Sequence, residues 1–463
     1  MRTGPTPSKR RASRSASSGE RLSLVPAPLL DKLRAVVGGG HVLSGVELSP
    51  YVVDGRTPEA AVFPATVDEV AAVVSLAAEA GLPLVPWGGG TAAAVGVPPT
   101  RAGLVLGLSR LRAIVEHEPG DLTVTAQAGV ILSELQAALN ARGQWLSLDP
   151  PDADRATLGG VLAANASGPR RHLYGTARDL LIGVTVVTAD GSVVRGGGRV
   201  VKNVASYDLP KLFIGSYGTL GVIVEATLKL RPRPDDERLV AVRFERLKDA
   251  GTAVRAILAS DLIPNAVDLV DAVAARAVGI DAAPAALLIG FDGLREQIDW
   301  QIAELGSVVR PYGGQAPTAV PAGVWTGLAR AAQAAFETPA AVMTLSVLPS
   351  LVADTMEQGA NSARQRGLGT AWCAHAGVGL VTGAVRAEGQ RQDPAMLATV
   401  LAEWRAAARA GGGHASIRWA PLAVKTALPV WDDAGPAGRI MQRIKAEVDP
   451  QNILNPGRFA AGI

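Results

Sequence analysis

The segment from Thr157 to Gly168, with the sequence TLGGVLAANASG, holds residues whose types and spacing suggest ligand binding. Gly159 and Gly160 open a run of small residues, so the backbone here can approach a large flat ligand without an intervening Cβ. Thr157 stands at a helix N-cap position, and the free N–H groups of the following turn would attract electron-rich atoms. We expect a bulky cofactor here. The alternative is a simple Gly-Gly turn between two elements.

A second glycine run, Gly88-Gly-Gly-Thr-Ala92, follows an apolar segment at residues 84–87 that predicts a strand. Successive glycines can form a nest of N–H groups that binds a diphosphate, and Thr91 adds a hydroxyl donor. The run also fits the G-x-G-x-x-A pattern of Rossmann folds, which need a long helix directly after the loop. Because Gly96, Pro98 and Pro99 would end any helix within about two turns, the sequence disfavours the Rossmann alternative.

Hydrophobic patterns place both glycine runs within alternating strands and helices. Helical spacing of apolar residues predicts helices at 28–37, 68–80 and 131–142. Strands are predicted at 104–108, 123–128, 181–187, 192–195 and 222–230. Downstream, predicted strands at 239–244, 286–291 and 342–348 alternate with helices at 250–260, 294–305 and 396–410. This order suggests an α+β domain with an antiparallel sheet.

Composition limits the class of protein. A chain of 463 residues exceeds what one hydrophobic core usually serves, so we expect at least two domains. No apolar run reaches membrane-spanning length and no apolar segment follows the basic start, so we expect a cytoplasmic protein without a membrane span. Cys373 is the only cysteine, which excludes an intrachain disulfide and an iron–sulfur cluster within the chain. We expect its thiol to be buried and inert.

The first residues carry most of the positive charge. Residues 1–21 contain six basic residues and one acidic residue, whereas the whole chain has a net charge of +3. A Ser-rich basic arm could contact nucleic acid or anionic lipid. It lacks aromatic residues and a folded basic face, so we interpret residues 1–22 as a disordered leader and expect no nucleic-acid partner.

Six motifs in a fixed order resemble those of a known family. They are Trp87-Gly-Gly-Gly-Thr91, Gln127-Ala-Gly129, Thr157-Leu-Gly-Gly160, Lys202-Asn-Val-Ala-Ser-Tyr-Asp208, Gly215-Ser-Tyr-Gly-Thr-Leu-Gly221 and Asp449-Pro-Gln-Asn-Ile-Leu-Asn-Pro-Gly457. The set resembles FAD-linked oxidases of the vanillyl-alcohol oxidase and p-cresol methylhydroxylase (PCMH) type, from about residue 50 to the end.

The resemblance implies an α+β fold with a PCMH-type FAD-binding domain of two α/β subdomains at residues 50–234. A C-terminal α+β cap domain with an antiparallel sheet would follow at 235–440, and residues 441–463 would return to the FAD domain. It also implies an FAD site in which Gly88 to Ala92 hold the diphosphate, Gly221 and Ile223 lie by the adenine, and Asn455 lies near the isoalloxazine. The full implied set is Trp87, Gly88, Gly89, Gly90, Thr91, Ala92, Pro150, Thr157, Gly159, Gly160, Ala164, Gly168, Gly221, Ile223 and Asn455. Members with covalent flavin carry His or Cys in the corresponding loops, whereas this chain has Thr91, Ala92 and Ala93, so we expect non-covalent FAD.

Within the family the likeness is to the glycolate oxidase and D-2-hydroxyacid dehydrogenase group, from which this chain departs on the substrate side. The group's H-x-G-D-G-N-x-H motif, whose two histidines can bind a metal, reads His375-Ala-Gly-Val-Gly-Leu-Val-Thr382 here. One imidazole does not hold a metal, so we expect no metal site. The W-x-G-R segment, whose Arg pairs the substrate carboxylate, reads Trp325-Thr-Gly-Leu328, with Arg330 two residues late. A later E-H-G motif corresponds to Gly413-His-Ala415.

This combination resembles the E-type subunits of glycolate oxidases. It implies an FAD-binding oxidoreductase that relays electrons beside a catalytic hydroxyacid dehydrogenase subunit and an iron–sulfur subunit, with membrane association only through these partners. His375 could serve as a catalytic base; ordinary packing is the alternative for His375 and His414. Two other functions stay open: a self-sufficient FAD-dependent alcohol or hydroxyacid oxidase or dehydrogenase, and a non-catalytic structural subunit.

Overall fold

The computed structural model describes residues 26–198, 209–281, 284–321, 323–386 and 393–463. The predicted basic leader at 1–22 and the motif at 202–208 lie outside these ranges. None of the helices in the described ranges is both long enough and apolar enough to cross a membrane.

The first half of the chain alternates short strands and helices. Its strands are β1 Val42–Leu43, β2 Ala60–Val62, β3 Leu84–Trp87, β4 Leu104–Gly107, β5 Ile114–Glu118, β6 Thr123–Gln127, β7 Gln144–Trp145, β8 Leu181–Val187, β9 Val193–Gly197, β10 Val222–Lys229 and β11 Arg231–Pro232. Its helices are α1 Ala27–Val37, α2 Val67–Glu79, α3 Leu132–Asn140, α4 Leu158–Ala164, α5 Arg171–Tyr174, α6 Ala177–Leu180 and α7 Pro210–Phe213.

Two larger sheets form this half. One has four strands in the order β1-β2-β4-β3, with β2 and β3 each parallel to β4. The other has five antiparallel strands in the order β5-β6-β10-β8-β9. One apolar core joins both sheets: Val62 and Leu104 of the first and Val124, Val186 and Val224 of the second belong to it. Both sheets therefore contribute residues to one shared core.

The second half is built on one large sheet. It has eight antiparallel strands in the order β15-β12-β14-β13-β17-β18-β16-β19. These strands are β12 Asp236–Phe244, β13 Ala266–Asp271, β14 Ala285–Gly293, β15 Thr318–Ala319, β16 Ala341–Ser346, β17 Gly369–His375, β18 Leu380–Arg386 and β19 His414–Trp419. The helices are α8 Leu247–Leu258, α9 Ala272–Ala277, α10 Arg295–Val309, α11 Gly323–Leu328, α12 Ala331–Ala334, α13 Val352–Arg364, α14 Pro394–Ala410, α15 Leu422–Ala427 and α16 Pro436–Val448.

The end of the chain packs back on the first half. Ile453 and Leu454 are fully buried in its core, and Leu454 forms a parallel bridge with Leu84 at the start of β3. Lys445 donates from Nζ to the carbonyl of Thr219 at 2.7 Å. The C-terminal segment thereby lies beside the second glycine run.

The architecture confirms the predicted α+β class and the antiparallel sheet of the second half. Most predicted elements agree within a few residues; helix α10, predicted to end at residue 305, extends to Val309 because Leu305 and Val309 are both buried against the sheet. Cys373 is buried, and burial raises the pKa of its thiol to about 12, so the thiol is inert as expected.

Candidate FAD site and the interdomain cluster

A solvent-open cleft lies between the glycine run after β3, helix α4 and the start of β10, with the C-terminal segment at its side. It encloses about 840 Å³ of empty space, open solvent included. All but three of the predicted cofactor residues line it; those that do are Trp87, Gly88, Gly89, Gly90, Thr91, Ala92, Gly159, Gly160, Ala164, Gly221, Ile223 and Asn455. Three residues outside the implied FAD set line it as well: Tyr217 and Gly218, which belong to the motif at 215–221, and Arg458.

The glycine run is packed too tightly for side chains. A Cβ on Gly88 would lie 2.1 Å from Oγ1 of Thr157, and a Cβ on Gly89 would lie 1.8 Å from the carbonyl oxygen of Arg155. Gly90 has a φ of +72°, in the left-handed region that favours glycine. The backbone therefore stays bare along the cleft, which is what close approach of a diphosphate requires.

Thr157 does not line the cleft but stands behind it. As predicted, it caps helix α4: its Oγ1 accepts a hydrogen bond from the amide of Gly160 at 3.4 Å. The amide of Gly159 is bonded to the carbonyl of Ala128 at 2.8 Å. The cap and this bond fix the start of α4 against β6 and hold Gly159 and Gly160 at the cleft surface.

Asn455 offers the cleft a free acceptor. Its backbone amide donates to the carbonyl of Leu84 at 2.8 Å, and its Nδ2 donates to the carbonyl of Tyr217 at 2.6 Å. Its Oδ1 is buried and has no hydrogen-bond partner among the described residues. Buried polar atoms are normally satisfied, so this oxygen fits a ligand that brings an N–H or O–H donor. The bare glycine backbone and this orphan acceptor together fit FAD.

Pro150 and Gly168, the other two predicted residues outside the cleft, flank Asp149. A Cβ on Gly168 would lie 2.0 Å from the Asp149 carbonyl oxygen. The Asp149 carboxylate accepts from the amide of Arg170 at 3.1 Å and from Nε1 of Trp325 at 3.3 Å. These contacts belong to an interdomain cluster, which we define as Asp149, Arg170, Glu237, Asp268, Trp325 and His375.

Arg170 is the centre of this cluster. Its Nε and Nη2 donate to the two carboxylate oxygens of Glu237 at 2.9 and 2.7 Å, and its Nη1 lies 3.5 Å from Asp149. The guanidinium lies 4.0 Å from the centre of the Trp325 ring, in a cation–π contact. Burial raises the pKa of Asp149 to about 6, although Arg170 opposes the shift.

His375 lies in this cluster and not on the cleft. It ends β17 opposite Asp268 of β13, and its Nδ1 is 3.1 and 3.0 Å from the two carboxylate oxygens of Asp268. Both residues are buried. Burial lowers the pKa of His375, but the carboxylates of Asp268 and Asp149 together outweigh burial, so the pKa lies above the ordinary value. Asp268 was not predicted as a site residue; the signal in the sequence is an acid that alternates with apolar residues in the segment Ala266–Asp271.

At the positions where this chain departs from the substrate-side motifs, no charged side chain replaces the motif residue. Leu328 is 1% exposed and packs in an apolar cluster of the second half. Val378 and Leu380 are half-buried, and Thr382 pairs with the hydroxyl of Thr344 at 3.5 Å. His414 is exposed and begins the edge strand β19, where it pairs with Ser346 of β16. Within the described ranges, no three His, Cys, Asp or Glu side chains converge as metal ligands.

Two domain families match the chain. The family described as "FAD binding domain" matches residues 58–197, and "FAD linked oxidases, C-terminal domain" matches residues 233–418 and 430–459. The chain belongs to the FAD-linked oxidases. This membership confirms the predicted family, the class of FAD-dependent oxidoreductase and FAD as the cofactor.

Among the relatives of this FAD-linked oxidase are two glycolate oxidase subunits. Subunit GlcD of Bacillus subtilis is 34% identical over 260 residues, which cover 55% of each chain. Subunit GlcE of Escherichia coli is 43% identical over 153 residues, which cover 33% of this chain and 43% of GlcE. The matches thus span about half the length of these relatives. The structure of p-cresol methylhydroxylase superposes with a TM-score of 0.75 at 18% identity, covering 94% of this chain and 96% of that one, which confirms the PCMH-type fold.

Proposed function

We propose that this FAD-linked oxidase works as the E-type subunit of a glycolate oxidase or related 2-hydroxyacid dehydrogenase complex, binding FAD and relaying electrons. One observation carries the proposal: twelve of the predicted FAD residues line one cleft, whereas Arg170 and Arg330, the arginines at the altered tryptophan motif, are engaged by carboxylates of the chain itself. The similarity to GlcE over a third of the chain supports the same function.

The cleft residues would hold FAD without a covalent bond. In this proposal the backbone of Gly88 to Ala92 binds the diphosphate, while Gly159, Gly160 and Ala164 line the flavin. When bound, FAD supplies the electron acceptor for oxidation of an alcohol. Residues 50–234 and 441–463 would form its binding domain and residues 235–440 its cap, a division supported by the packing of Ile453 and Leu454 in the first core.

Two arginines near the altered motif could bind a substrate carboxylate, but both are already paired. Arg170 is bound by Glu237 and Asp149, and Arg330 donates to Asp152. A 2-hydroxyacid needs a charge-assisted partner for its carboxylate in a site that excludes water, and Leu328 cannot supply one. We therefore propose that hydroxyacid oxidation takes place on a partner subunit. Because this chain has a single cysteine, an iron–sulfur cluster in such a complex would also belong to a partner.

The His375–Asp268 pair favours a second candidate, a self-sufficient oxidase or dehydrogenase with a different alcohol substrate. An imidazole fixed through Nδ1 by a carboxylate presents Nε2 as a base or acid, and Asp268 stabilises its protonated form. The Thr382 and Leu380 side chains near this pair would suit an alcohol without a second charge. In this reading His375 accepts the proton of the substrate hydroxyl.

Stopped-flow bleaching of the bound flavin separates the two candidates. We expect glycolate, D-lactate and D-2-hydroxyglutarate to bleach the flavin of the purified chain slowly or not at all. The missing charge partner and metal ligands are each worth several kcal/mol of barrier, and about 1.4 kcal/mol is tenfold in rate. Rapid, saturable bleaching without a partner would contradict the E-type function, and its loss in His375→Gln would support the self-sufficient enzyme.

The mode of flavin attachment has a simple test. Acid precipitation of the holoprotein should leave the yellow colour in the supernatant, because the loops on the cleft contain no His or Cys. Flavin that stays with the pellet would show a covalent link from another residue. A purified chain that folds but contains and binds no FAD would instead favour the structural-subunit alternative.

A further inference from the structure

Three charged side chains from distant parts of the chain meet behind the glycine run. Nζ of Lys425, on helix α15, lies 2.8 and 3.0 Å from the carboxylate oxygens of Asp54. Nη1 of Arg458, near the C-terminus, lies 3.5 Å from the same carboxylate. The side chains of Lys425, Asp54 and Arg458 are only 0%, 8% and 6% exposed. Buried charges of this kind persist only where their contacts are specific.

Both cations also hold the backbone of residues 93–97, which we name the cleft loop. Lys425 donates to the carbonyl of Ala94 at 2.5 Å. Arg458 donates to the carbonyls of Ala93, Val95 and Val97 at 2.6, 2.9 and 2.7 Å. In return the amide of Val97 donates to the Arg458 carbonyl at 3.0 Å. Four of the five carbonyls of the loop are thus fixed by two side chains.

The cleft loop continues directly from the glycine run Gly88 to Ala92 and faces the same space. Ala93, Val95 and Arg458 all line the FAD cleft. Gly96 has a φ of +114°, and a Cβ there would lie 2.7 Å from the Arg458 carbonyl oxygen. The loop forms turns and bends without a strand or helix of its own, so its shape depends on the two cations.

Lys425, Asp54 and Arg458 together also carry an excess of positive charge. Among the residues that the structure describes, Asp54 is the one acid paired with either cation. Burial lowers the pKa of Lys425 and of Arg458, and Asp54 opposes both shifts. One carboxylate against two cations leaves about one positive charge in a region of low dielectric constant, which an anionic ligand in the adjoining cleft would offset.

We infer that Lys425 is a positioning residue for FAD, which links cofactor binding to the docking of the second half of the chain on the cleft loop. Lys425 belongs to the second half, whereas Asp54 and Ala94 belong to the first. Linkage is reciprocal: if the docked cap shapes the loop for the diphosphate, bound FAD must hold the cap docked more firmly. The inference rests on the FAD binding proposed for this cleft.

The experiment uses the full chain stripped of FAD and titrated with FAD, with flavin fluorescence as the readout. Lys425→Met should raise the Kd for FAD by about tenfold to a hundredfold, the range expected for a lost charged hydrogen bond. Because this variant leaves Asp54 with one cation fewer, the double variant Asp54→Asn/Lys425→Met gives a second test, with about a tenfold rise. Arg366→Met is the matched control, since Arg366 likewise holds a carboxylate, Glu403, and a backbone carbonyl, that of Ser362, but away from the cleft.

Hydrogen exchange supplies the readout that a merely structural lysine would not affect. FAD should slow amide exchange in residues 422–427 of the wild type and should lose that effect in Lys425→Met. The inference is overturned if both Lys425 variants bind FAD within about twofold of the wild type, if Arg366→Met weakens binding equally, or if FAD leaves exchange in residues 422–427 unchanged. Failure of the wild type to bind FAD would contradict the proposed function itself.

Discussion

The FAD cleft and the interdomain cluster differ in the groups that form them: mainly backbone in the cleft and side chains in the cluster. The cleft is lined largely by backbone, because Gly88, Gly89, Gly159 and Gly160 place no side chain on its surface. The cluster is made of charged side chains, with Arg170 held between two carboxylates. A backbone site keeps its chemistry as long as its glycines fit, whereas a side-chain site changes when a few residues change. This difference explains how the chain can retain a cofactor site while its substrate-side motifs depart.

The strongest test of the backbone site is Gly160→Val. A Cβ here meets one atom outside the local helix, Oγ1 of Thr157 at 3.2 Å, so the chain should fold with the new side chain projecting at the cleft surface. We expect FAD affinity to fall by about a hundredfold, because overpacking a well-fitted site typically costs 1–3 kcal/mol, roughly the energy of that change. The measurement is flavin content and titration of the stripped protein.

The matched control is Gly40→Val, at a position where a Cβ meets nothing within 4 Å. It should bind FAD like the wild type. Full flavin occupancy in folded Gly160→Val would show that the cofactor does not pass this turn and would remove the contrast between the two regions.

The contribution of the interdomain cluster to stability should depend on pH. Burial raises the pKa of Asp149 from 3.8 to about 6, so between these values the folded state binds a proton that the unfolded state does not. Its contribution to stability is therefore fully present below about pH 4 and lost as pH rises through about 6. Asp149→Asn, which keeps the acceptor for Arg170 but cannot ionise, should gain stability over the wild type by up to roughly 3 kcal/mol across this window.

Urea unfolding at several pH values between 4 and 7 measures the difference in unfolding free energy between Asp149→Asn and the wild type, which should grow as pH rises. Asp190→Asn is the control of opposite sign, because hydrogen bonds from Thr188 and Ser192 lower the pKa of Asp190. The stability that Asp190 contributes is lost as pH falls. If the difference in unfolding free energy between Asp149→Asn and the wild type shrinks as pH rises, the pKa of Asp149 is not raised in the folded state.

Removing Glu237 tests the cluster as a contact between the two halves. Glu237→Gln keeps one acceptor oxygen but removes the charge and one of the two bonds from Arg170, and it weakens the bond from Nδ2 of Asn265 at 3.1 Å. The Glu237 side chain is 30% exposed, so we discount the cost of a fully buried pair to about 2 kcal/mol of unfolding free energy. Glu237→Gln should also speed proteolysis near residue 234, between the two halves. Glu403→Gln, which weakens an ion pair within the second half, should lower the unfolding free energy less and leave proteolysis near residue 234 unchanged. Equal effects of both variants would deny the cluster any special part in docking.

The sequence predicted the backbone site far better than the side-chain site, for physical reasons. Glycine runs signal their role locally, since Gly88 to Ala92 and Thr157 to Gly160 each act within a few residues, and the cap on α4 formed as predicted. The contacts of the interdomain cluster instead join distant positions, since Trp325 and Asp149 are 176 residues apart. The same holds for the ion pair behind the glycine run, because Lys425 and Asp54 are 371 residues apart. No local pattern encodes which acid a buried cation will meet.

Leu328 illustrates the same limit. The motif comparison identified it as the place of a missing substrate arginine, and the structure adds that it is packed in an apolar cluster with Val324 and Ala332. The cation that contacts the tryptophan of this motif is Arg170, from the first half of the chain. A sequence comparison detects the loss of an arginine at one position. It does not detect that folding brings another arginine, Arg170, into contact with the same tryptophan.

Arg330 gives the smallest expected effect and the finest test of the comparison. It lies two residues after Leu328 and could substitute for the motif arginine, but it is paired with Asp152 and its side chain is 44% exposed. Solvent screens such pairs, so Arg330→Gln should lower the unfolding free energy by less than about 1 kcal/mol. The slow bleaching of the flavin by glycolate should also stay as it is in the wild type, because Arg330 binds no substrate in the proposed function. Arg330→Lys, which keeps the charge, is the control for both measurements. Bleaching that becomes about tenfold slower in Arg330→Gln but not in Arg330→Lys would place a substrate carboxylate at this arginine. Arg330 would then bind the substrate carboxylate in place of the motif arginine, two residues later in the chain. The self-sufficient enzyme would replace the E-type subunit as the better proposal.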